Sequence, residues 1–247
     1  MSILPIRLTR HVVSVCAALT LVAAGPAAGQ MMGTKVSSLV SIDLLELQAA
    51  GADRPIVWDA SGWIGGDYTR LWIKSEGAIA TRGDGKEAEV QVLYSHLVSP
   101  FWELQAGARL ETQSHGGARA TRASLVLGLE GLAPYWFELE PALFVSQDGD
   151  LSARVTATYD LFVTQRVILQ PRLEANAALQ RMEQFGVGSG LNDLDLGFRL
   201  RYEVKREFAP YIGARWAQKI GGTASMARDA GDATGSVAFV GGLRMWF

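Results

Sequence analysis

Past the first thirty residues, hydrophobic and polar positions alternate with a period of two over unusually long stretches. Ala106, Ala108 and Leu110 share a face with Trp102 and Leu104, opposite Glu103, Gln105, Gly107, Arg109 and Glu111. Further on, Ala123, Leu125, Leu127 and Leu129 oppose Arg122, Ser124, Val126, Gly128 and Glu130. Residues 150–163 put Leu151, Ala153, Val155, Ala157, Tyr159, Leu161 and Val163 against Ser152, Arg154, Thr156, Thr158, Asp160 and Phe162. Residues 194–204 set Leu194, Leu196, Phe198, Leu200, Tyr202 and Val204 against Asp195, Gly197, Arg199, Arg201 and Glu203. Successive side chains of a strand point to opposite faces, so each stretch predicts a strand with one apolar face. Strands of soluble sandwiches run to about five or six residues, whereas a tilted strand needs about ten to cross a bilayer. These segments have the longer dimension.

The connections add topology. Tight turns at Gly65-Gly66-Asp67, Ser99-Pro100, Leu132-Ala133-Pro134, Thr164-Gln165-Arg166 and Lys205-Arg206-Glu207 alternate with more polar loops. The loops lie near Ala50–Asp53, Arg82–Lys86, Gln113–Gly117, Gln147–Asp150, Arg181–Gly190 and Gly221–Gly235. Short turns on one rim and longer loops on the other characterise outer-membrane barrels. The expected fold is therefore all-β, a transmembrane up-and-down antiparallel β-barrel of about twelve strands over residues 35–247. Its last strand closes on the aromatic Phe247. Trp58, Trp63, Trp72, Trp102, Trp136, Trp216 and Trp246 fall near the expected strand ends, as aromatic girdles require, although Trp72 and Trp136 have inward parity.

The first residues change the compartment. Arg7 and Arg10 precede an apolar run, Val12–Ala24, and Ala27-Ala28-Gly29 offers a small-residue cleavage site before Gln30. That is the pattern of an export signal over residues 1–29, and the run is too short to span a bilayer as a helix. Residues 30–34 then form a short periplasmic remnant. Removing 1–29 takes away two arginines, no acid and the single Cys16, leaving 21 basic and 25 acidic residues. A net acidic chain does not neutralise a phosphate backbone, so nucleic acid is not an expected partner. Without cysteine the exported chain has neither disulfides nor thiolate chemistry.

Candidate chemistry is sparse. Met31 and Met32 carry soft thioethers suited to Cu(I). His96 shares the lipid face of Val90, Val92 and Tyr94, and His115 lies in the loop "QSHGGAR". Asp59, Arg70, Lys74, Glu76, Glu103, Arg109, Glu138, Glu140, Arg154, Asp160, Arg172, Glu174, Asp195, Arg199 and Arg201 are expected inside. They either form a salt-bridged filling or, through Glu103, Glu138 and Glu140, a polar path for a cation. His96 has no serine on its face, so a hydrolase is not expected.

The stretches "WDASGWIGGDYTRLWIKSEG", "LYSHLVSPFWELQAGARL", "GLAPYWFELE", "TQRVILQPRLE", "GSGLNDLDLGFRLRYEVKREFAPYIG" and "LRMWF" resemble the copper resistance protein B family. The resemblance runs in order from about Trp58 to Phe247. It implies a barrel in the outer membrane of a Gram-negative bacterium, acting in copper homeostasis beside periplasmic copper-handling proteins such as a multicopper oxidase. An aromatic C-terminus also resembles the signal read by the outer-membrane assembly machinery. Many members carry a Met- and His-rich segment before the barrel, which here shrinks to "QMMGTK". The expectation is weak copper binding at Met31, Met32, His96, His115 and the three carboxylates, with or without passage of the ion. A general small channel without copper specificity is the alternative.

Overall fold

The computed structural model describes residues 36–49, 54–83, 85–115 and 117–247. Met31, Met32 and the expected signal segment lie outside the described residues. Among those described, thirteen strands follow one another as antiparallel neighbours. They are β1 (Ser37–Ala49), β2 (Ile56–Gly65), β3 (Thr69–Ile79), β4 (Lys86–Ser99), β5 (Trp102–His115), β6 (Ala118–Ala133) and β7 (Phe137–Ser146). After them come β8 (Leu151–Thr158), β9 (Leu161–Phe162), β10 (Val167–Ala178), β11 (Gly190–Tyr202), β12 (Phe208–Lys219) and β13 (Gly235–Trp246). Strand β13 pairs with β1 from Ser41↔Trp246 to Ala49↔Phe239, so the sheet closes on itself. Val40 and Phe247 exchange two further backbone hydrogen bonds of 3.1 and 2.8 Å.

Strands β8 and β9 both pair with β10, so they form one interrupted stave of a twelve-strand barrel. The sequence predicts one uninterrupted strand here. The break falls at Tyr159–Asp160, opposite Pro171 of β10, which has no N–H to donate to the ladder. Across the break the Tyr159 N–H donates to the Pro171 carbonyl at 3.1 Å, and Gln170 Nε2 donates to Asp160 Oδ1 at 2.7 Å.

Short turns join β2 to β3, β4 to β5, β6 to β7, β9 to β10 and β11 to β12, on the rim where β1 begins and β13 ends. In an outer-membrane barrel this is the periplasmic rim. The opposite, outer rim carries the longer connections. One of them, expected as a polar loop, contains α1 (Gly221–Asp229). Its run of Ala, Ser, Met and Arg favours helix and has no alternating pattern. Thr223, Ala224 and Ala227 are buried, and the Thr223 hydroxyl accepts the Gly188 N–H at 2.9 Å. No helix among the described residues is long and apolar enough to cross a membrane.

The burial pattern is that of a soluble protein turned inside out. Leu125, Ile212, Val237 and Phe239 are all more than two-thirds exposed, at 69%, 68%, 68% and 75%, while Glu46, Arg199 and Arg201 are buried. Lipid wets the outer face, so apolar side chains there need no covering. Trp58 and Trp102 follow the girdle expectation. Their rings lie across Gly77 and Gly131 on the neighbouring strand, where any side chain would strike them.

The inner face departs from the expected all-polar lining. Trp72, Leu93, Val126 and Phe144 form a buried apolar cluster, with Trp63 and Ala142 packed against it. Trp63 and Trp72 therefore belong to the interior and not to a girdle, with ring centroids 6.1 Å apart. Trp136, of inward parity in the sequence, is 74% exposed in the turn between β6 and β7.

The exposed apolar outer set, which includes Phe247 at 73%, generates a test. Replacing Phe247 with Asp should prevent assembly, leaving no heat-shifted band in outer-membrane fractions. A Leu125→Arg change at mid-face should cost about 2–4 kcal/mol of folding stability in lipid vesicles, measured by denaturant titration. Neutral outcomes in both would contradict this placement of the lipid face.

Candidate functional site

A barrel wall satisfies its own backbone, so the inward polar side chains must satisfy one another. Most of them do so, in tiers; among the described residues the Nε atoms of Arg70, Arg109, Arg122 and Arg201 are buried without a partner. Glu46 of β1 is the most enclosed carboxylate, its side chain fully buried. Its oxygens take Arg199 Nε at 2.9 Å, Arg199 Nη2 at 3.2 Å, Gln48 Nε2 at 2.9 Å and the Tyr211 hydroxyl at 3.2 Å. Removing the guanidinium from such a group would strand a charge in a low-dielectric site.

On the outer half lies a cavity of ≈ 330 Å³. Eight carboxylates and four guanidiniums line it, so its field favours cations. Glu87, Glu111, Asp195 and Arg215 stand among its walls, and Arg215 pairs with Asp195. Asp59, Glu76, Glu174, Arg154 and Arg172 also line it and are joined by ion pairs. Arg172 Nη1 meets Asp59 at 2.7 Å, and Nη2 meets Glu174 at 3.5 Å. Arg154 meets Glu89 at 3.0 Å, Glu76 at 3.2 Å and Glu174 at 3.6 Å, and donates to Asn176 Oδ1 at 3.1 Å.

A smaller cavity of ≈ 40 Å³ is lined by Lys74, Gln91, Glu140 and Phe144 together with Glu76 and Arg154. Lys74 Nζ bridges Glu130 and Glu140, each at 2.7 Å, and Gln105 donates to Glu130 at 2.7 Å. Elsewhere in the lumen Arg70 pairs with Glu103, Arg201 with Asp160 at 2.8 Å, and Arg244 with Asp43 at 3.1 Å. Above the apolar cluster, Arg109 bridges Glu89 and Glu111 at 2.9 and 2.6 Å. Arg122 joins Glu111 at 2.7 Å and carries the ring of Phe185 4.4 Å from its Cζ. Phe185 and the buried Met182 come from the β10–β11 connection, so this loop folds inward against β6.

The expected site residues do not converge. Glu103 is committed to Arg70 and accepts Ser95 Oγ at 2.8 Å, while Glu140 is held by Lys74. Glu138 is exposed and joins neither. The reason is local: Glu103 and Glu140 are each taken by a different cation, and Glu138 sits exposed at the start of β7 with no ion pair among the described residues. His96 is exposed on the outer face, opposite Thr69 and Leu104, with the wall between it and the lumen. His115 ends β5 at the outer rim. Among the described residues, no group of three His, Cys, Asp or Glu is arranged to hold a metal ion. The lumen carboxylates are instead paired with side-chain cations, with an excess of carboxylate around the outer cavity.

Sequence reasoning left Glu46, Glu87, Glu89, Glu111 and Glu130 out of the lumen set. Four of them were readable, since Glu87 and Glu89 oppose Val90 and Val92, and Glu111 and Glu130 oppose Leu110 and Leu129. Glu46 was hidden. Both pairings of β1 slip beyond Ile42, and Asp43 and Leu44 form a bulge that reverses the alternation before Glu46.

Comparison with known proteins agrees with this geometry. The family described as Copper resistance protein B precursor (CopB) matches residues 36–247. Copper resistance protein B of Escherichia coli is 42% identical over 212 residues, covering 86% of this chain and 70% of its own length. The Copper resistance protein B homolog of Pseudomonas syringae pv. tomato is 41% identical over 218 residues, covering 88% and 72%. Among solved structures, the NanC porin superposes with a TM-score of 0.53 at 11% identity, covering 83% of this chain and 98% of that one. That likeness concerns the fold.

The Glu46 tier predicts a stability effect. Glu46→Ala leaves Arg199 buried without a partner and should cost about 3–5 kcal/mol, read by denaturant unfolding of the detergent-refolded barrel. The double variant Glu46→Leu with Arg199→Met should recover most of that loss. Wild-type stability of Glu46→Ala would show that this pair is not a structural anchor.

Proposed function

The chain belongs to the copper resistance protein B family, and from that premise we propose that its acidic lumen admits copper ions and passes them weakly across the outer membrane. The barrel is an outer-membrane protein of porin-like fold. Residues 1–29 serve as the export signal and residues 30–34 as a short periplasmic lead-in. Copper is cargo here, and among the described residues no three His, Cys, Asp or Glu form a cage for it. The observation that carries the reading is the outer cavity, with twice as many carboxylates as guanidiniums around ≈ 330 Å³.

The physical argument runs from affinity to transit. Conduction requires binding strong enough to draw the ion in and weak enough to release it. Carboxylates are hard ligands, and copper prefers nitrogen and sulfur, so an acidic lining holds it loosely. The cavity field raises local cation concentration before any specific ligand acts. Met31 and Met32, just ahead of the barrel, add thioether capture as a minor contribution. His96, on the outer face, offers a peripheral contact and is not part of the path, and His115 marks the end of β5 at the outer rim. Beyond the periplasmic rim the ion passes to soluble copper-handling proteins, with a multicopper oxidase as the expected consumer. No enzymatic step is assigned to the barrel itself. Delivery of the nascent chain depends on the outer-membrane assembly machinery.

Copper sensitivity of cells tests the proposal. Glu87→Gln, which removes an exposed cavity carboxylate with no ion-pair partner to strand, should change growth inhibition by copper. Glu138→Gln with Glu140→Gln should do so as well, while the heat-modifiable band persists. Met31→Leu with Met32→Leu should have a smaller effect. Large effects from the methionines and none from the carboxylates would make the barrel a scaffold for its N-terminus. Equal effects on potassium and copper tolerance would make it a general channel.

A further inference from the structure

The two interior cavities are separate volumes, yet two residues, Glu76 and Arg154, line both of them. They are joined to each other at 3.2 Å. The residues that the outer acidic cavity shares with the inner one are therefore an ion pair, and no member of the apolar cluster lines both. Arg154 projects from β8 and is held by Glu89, Glu76, Glu174 and Asn176. Its Cζ lies 5.7 Å from the centroid of Phe144, so the guanidinium rests beside the edge of the apolar cluster.

We propose that Arg154 is the gate of the lumen: its guanidinium occupies the place of a permeating cation and separates the two cavities until an incoming cation displaces it. The proposal rests on the reading of the lumen as a cation path and assigns that path its closing element.

Three features single out Arg154 among the inward arginines. First, position: Arg172, Arg199 and Arg215 line only the outer cavity. Second, freedom: its side chain is 16% exposed, like the 18% of Arg172 and unlike the 5% of Arg199 and 6% of Arg109. It can move where those two are packed in, and position separates it from Arg172. Third, charge: Glu76, Glu89 and Glu174 surround one guanidinium, which is charged at every working pH. If the arm swings out alone, Glu76 loses its ion pair, while Glu89 keeps Arg109 at 2.9 Å and Glu174 keeps Arg172 at 3.5 Å. The three carboxylates then face one another with less positive charge between them, and like charges at close range resist this. If a cation takes its place, the carboxylates stay neutralised and the swing costs little. Opening is thereby coupled to the presence of a cation in the outer cavity. Lys74, between Glu130 and Glu140 on the inner cavity, repeats the device one step further in. A cation moving inward meets two successive exchange points.

The experiment is single-channel recording of the refolded chain in planar bilayers with potassium chloride, so that copper chemistry does not enter. Arg154→Gln should raise conductance several-fold over the wild type. In a salt gradient it should move the reversal potential toward potassium. Arg154→Lys keeps a displaceable cation and should stay near the wild type. Arg172→Gln should rise less than Arg154→Gln, because Arg172 borders one cavity only. The heat-shifted band reports whether each variant has folded. If Arg154→Gln does not fold, Arg154→Gln with Glu89→Gln removes opposite charges together and is recorded in its place. A folded variant lacking Arg154 with wild-type conductance and selectivity overturns the gate. An equal rise in Arg172→Gln overturns its assignment to Arg154. Failure of the copper reading shows separately, as unchanged copper sensitivity in cells carrying the cavity variants.

Discussion

Strand β13 meets strand β1 through a continuous antiparallel ladder that runs on into the Val40–Phe247 bonds. In hydrocarbon an unpaired N–H or carbonyl costs several kcal/mol, so a sheet that stays open has no stable place there. Once the ring is closed, the faces of every strand are decided together. The outward set can be apolar without aggregating, and the inward set is cut off from lipid. The interior of this twelve-strand barrel is too wide for backbone contact, and long side chains occupy much of it. Glutamate, arginine and lysine fill it because they have the reach to meet across the lumen, as Arg172 does with Asp59 and Arg154 with Glu76.

That filling is not uniform. Glu46 with Arg199 and Tyr211 is a sealed anchor tying β1 to β11 and β12. The cluster of Trp72, Leu93, Val126 and Phe144 gives one wall a small apolar core, with Arg109 4.3 Å from the Phe144 centroid. Around the outer cavity the balance shifts to excess carboxylate. Burial therefore grades the network: Glu46 and Arg199 touch the outer cavity but are almost wholly enclosed and hold the barrel, while the more accessible pairs around the cavities are those proposed to exchange.

Most of the fold was legible in the sequence, because period-2 alternation over ten or more residues has few physical solutions. Strand number, the turn rim, the loop rim and the closing role of Phe247 all follow from it. The misses have specific causes. The β1 bulge at Asp43–Leu44 hid Glu46, and Pro171 broke a stave that alternation alone shows as continuous. The inward tryptophans defeated a reading by residue type, since Trp63 and Trp72 obey parity and not the girdle. The lumen set was largely readable as a list of residues. Its pairing was not, because partners such as Lys74 and Glu140 lie 66 positions apart and meet only across the closed barrel.

The central claim is that the outer cavity is a blind acidic vestibule closed below by ion pairs. Accessibility of single cysteines to a membrane-impermeant maleimide on intact cells tests it most directly. Glu87→Cys places a thiol on the outer cavity, and Gln105→Cys places one beside Glu130, at the Lys74 bridge. The account predicts rapid labelling at 87 and protection at 105 until the barrel is denatured. Equal labelling at both positions from outside would mean that the lumen is already an open channel, and would contradict it.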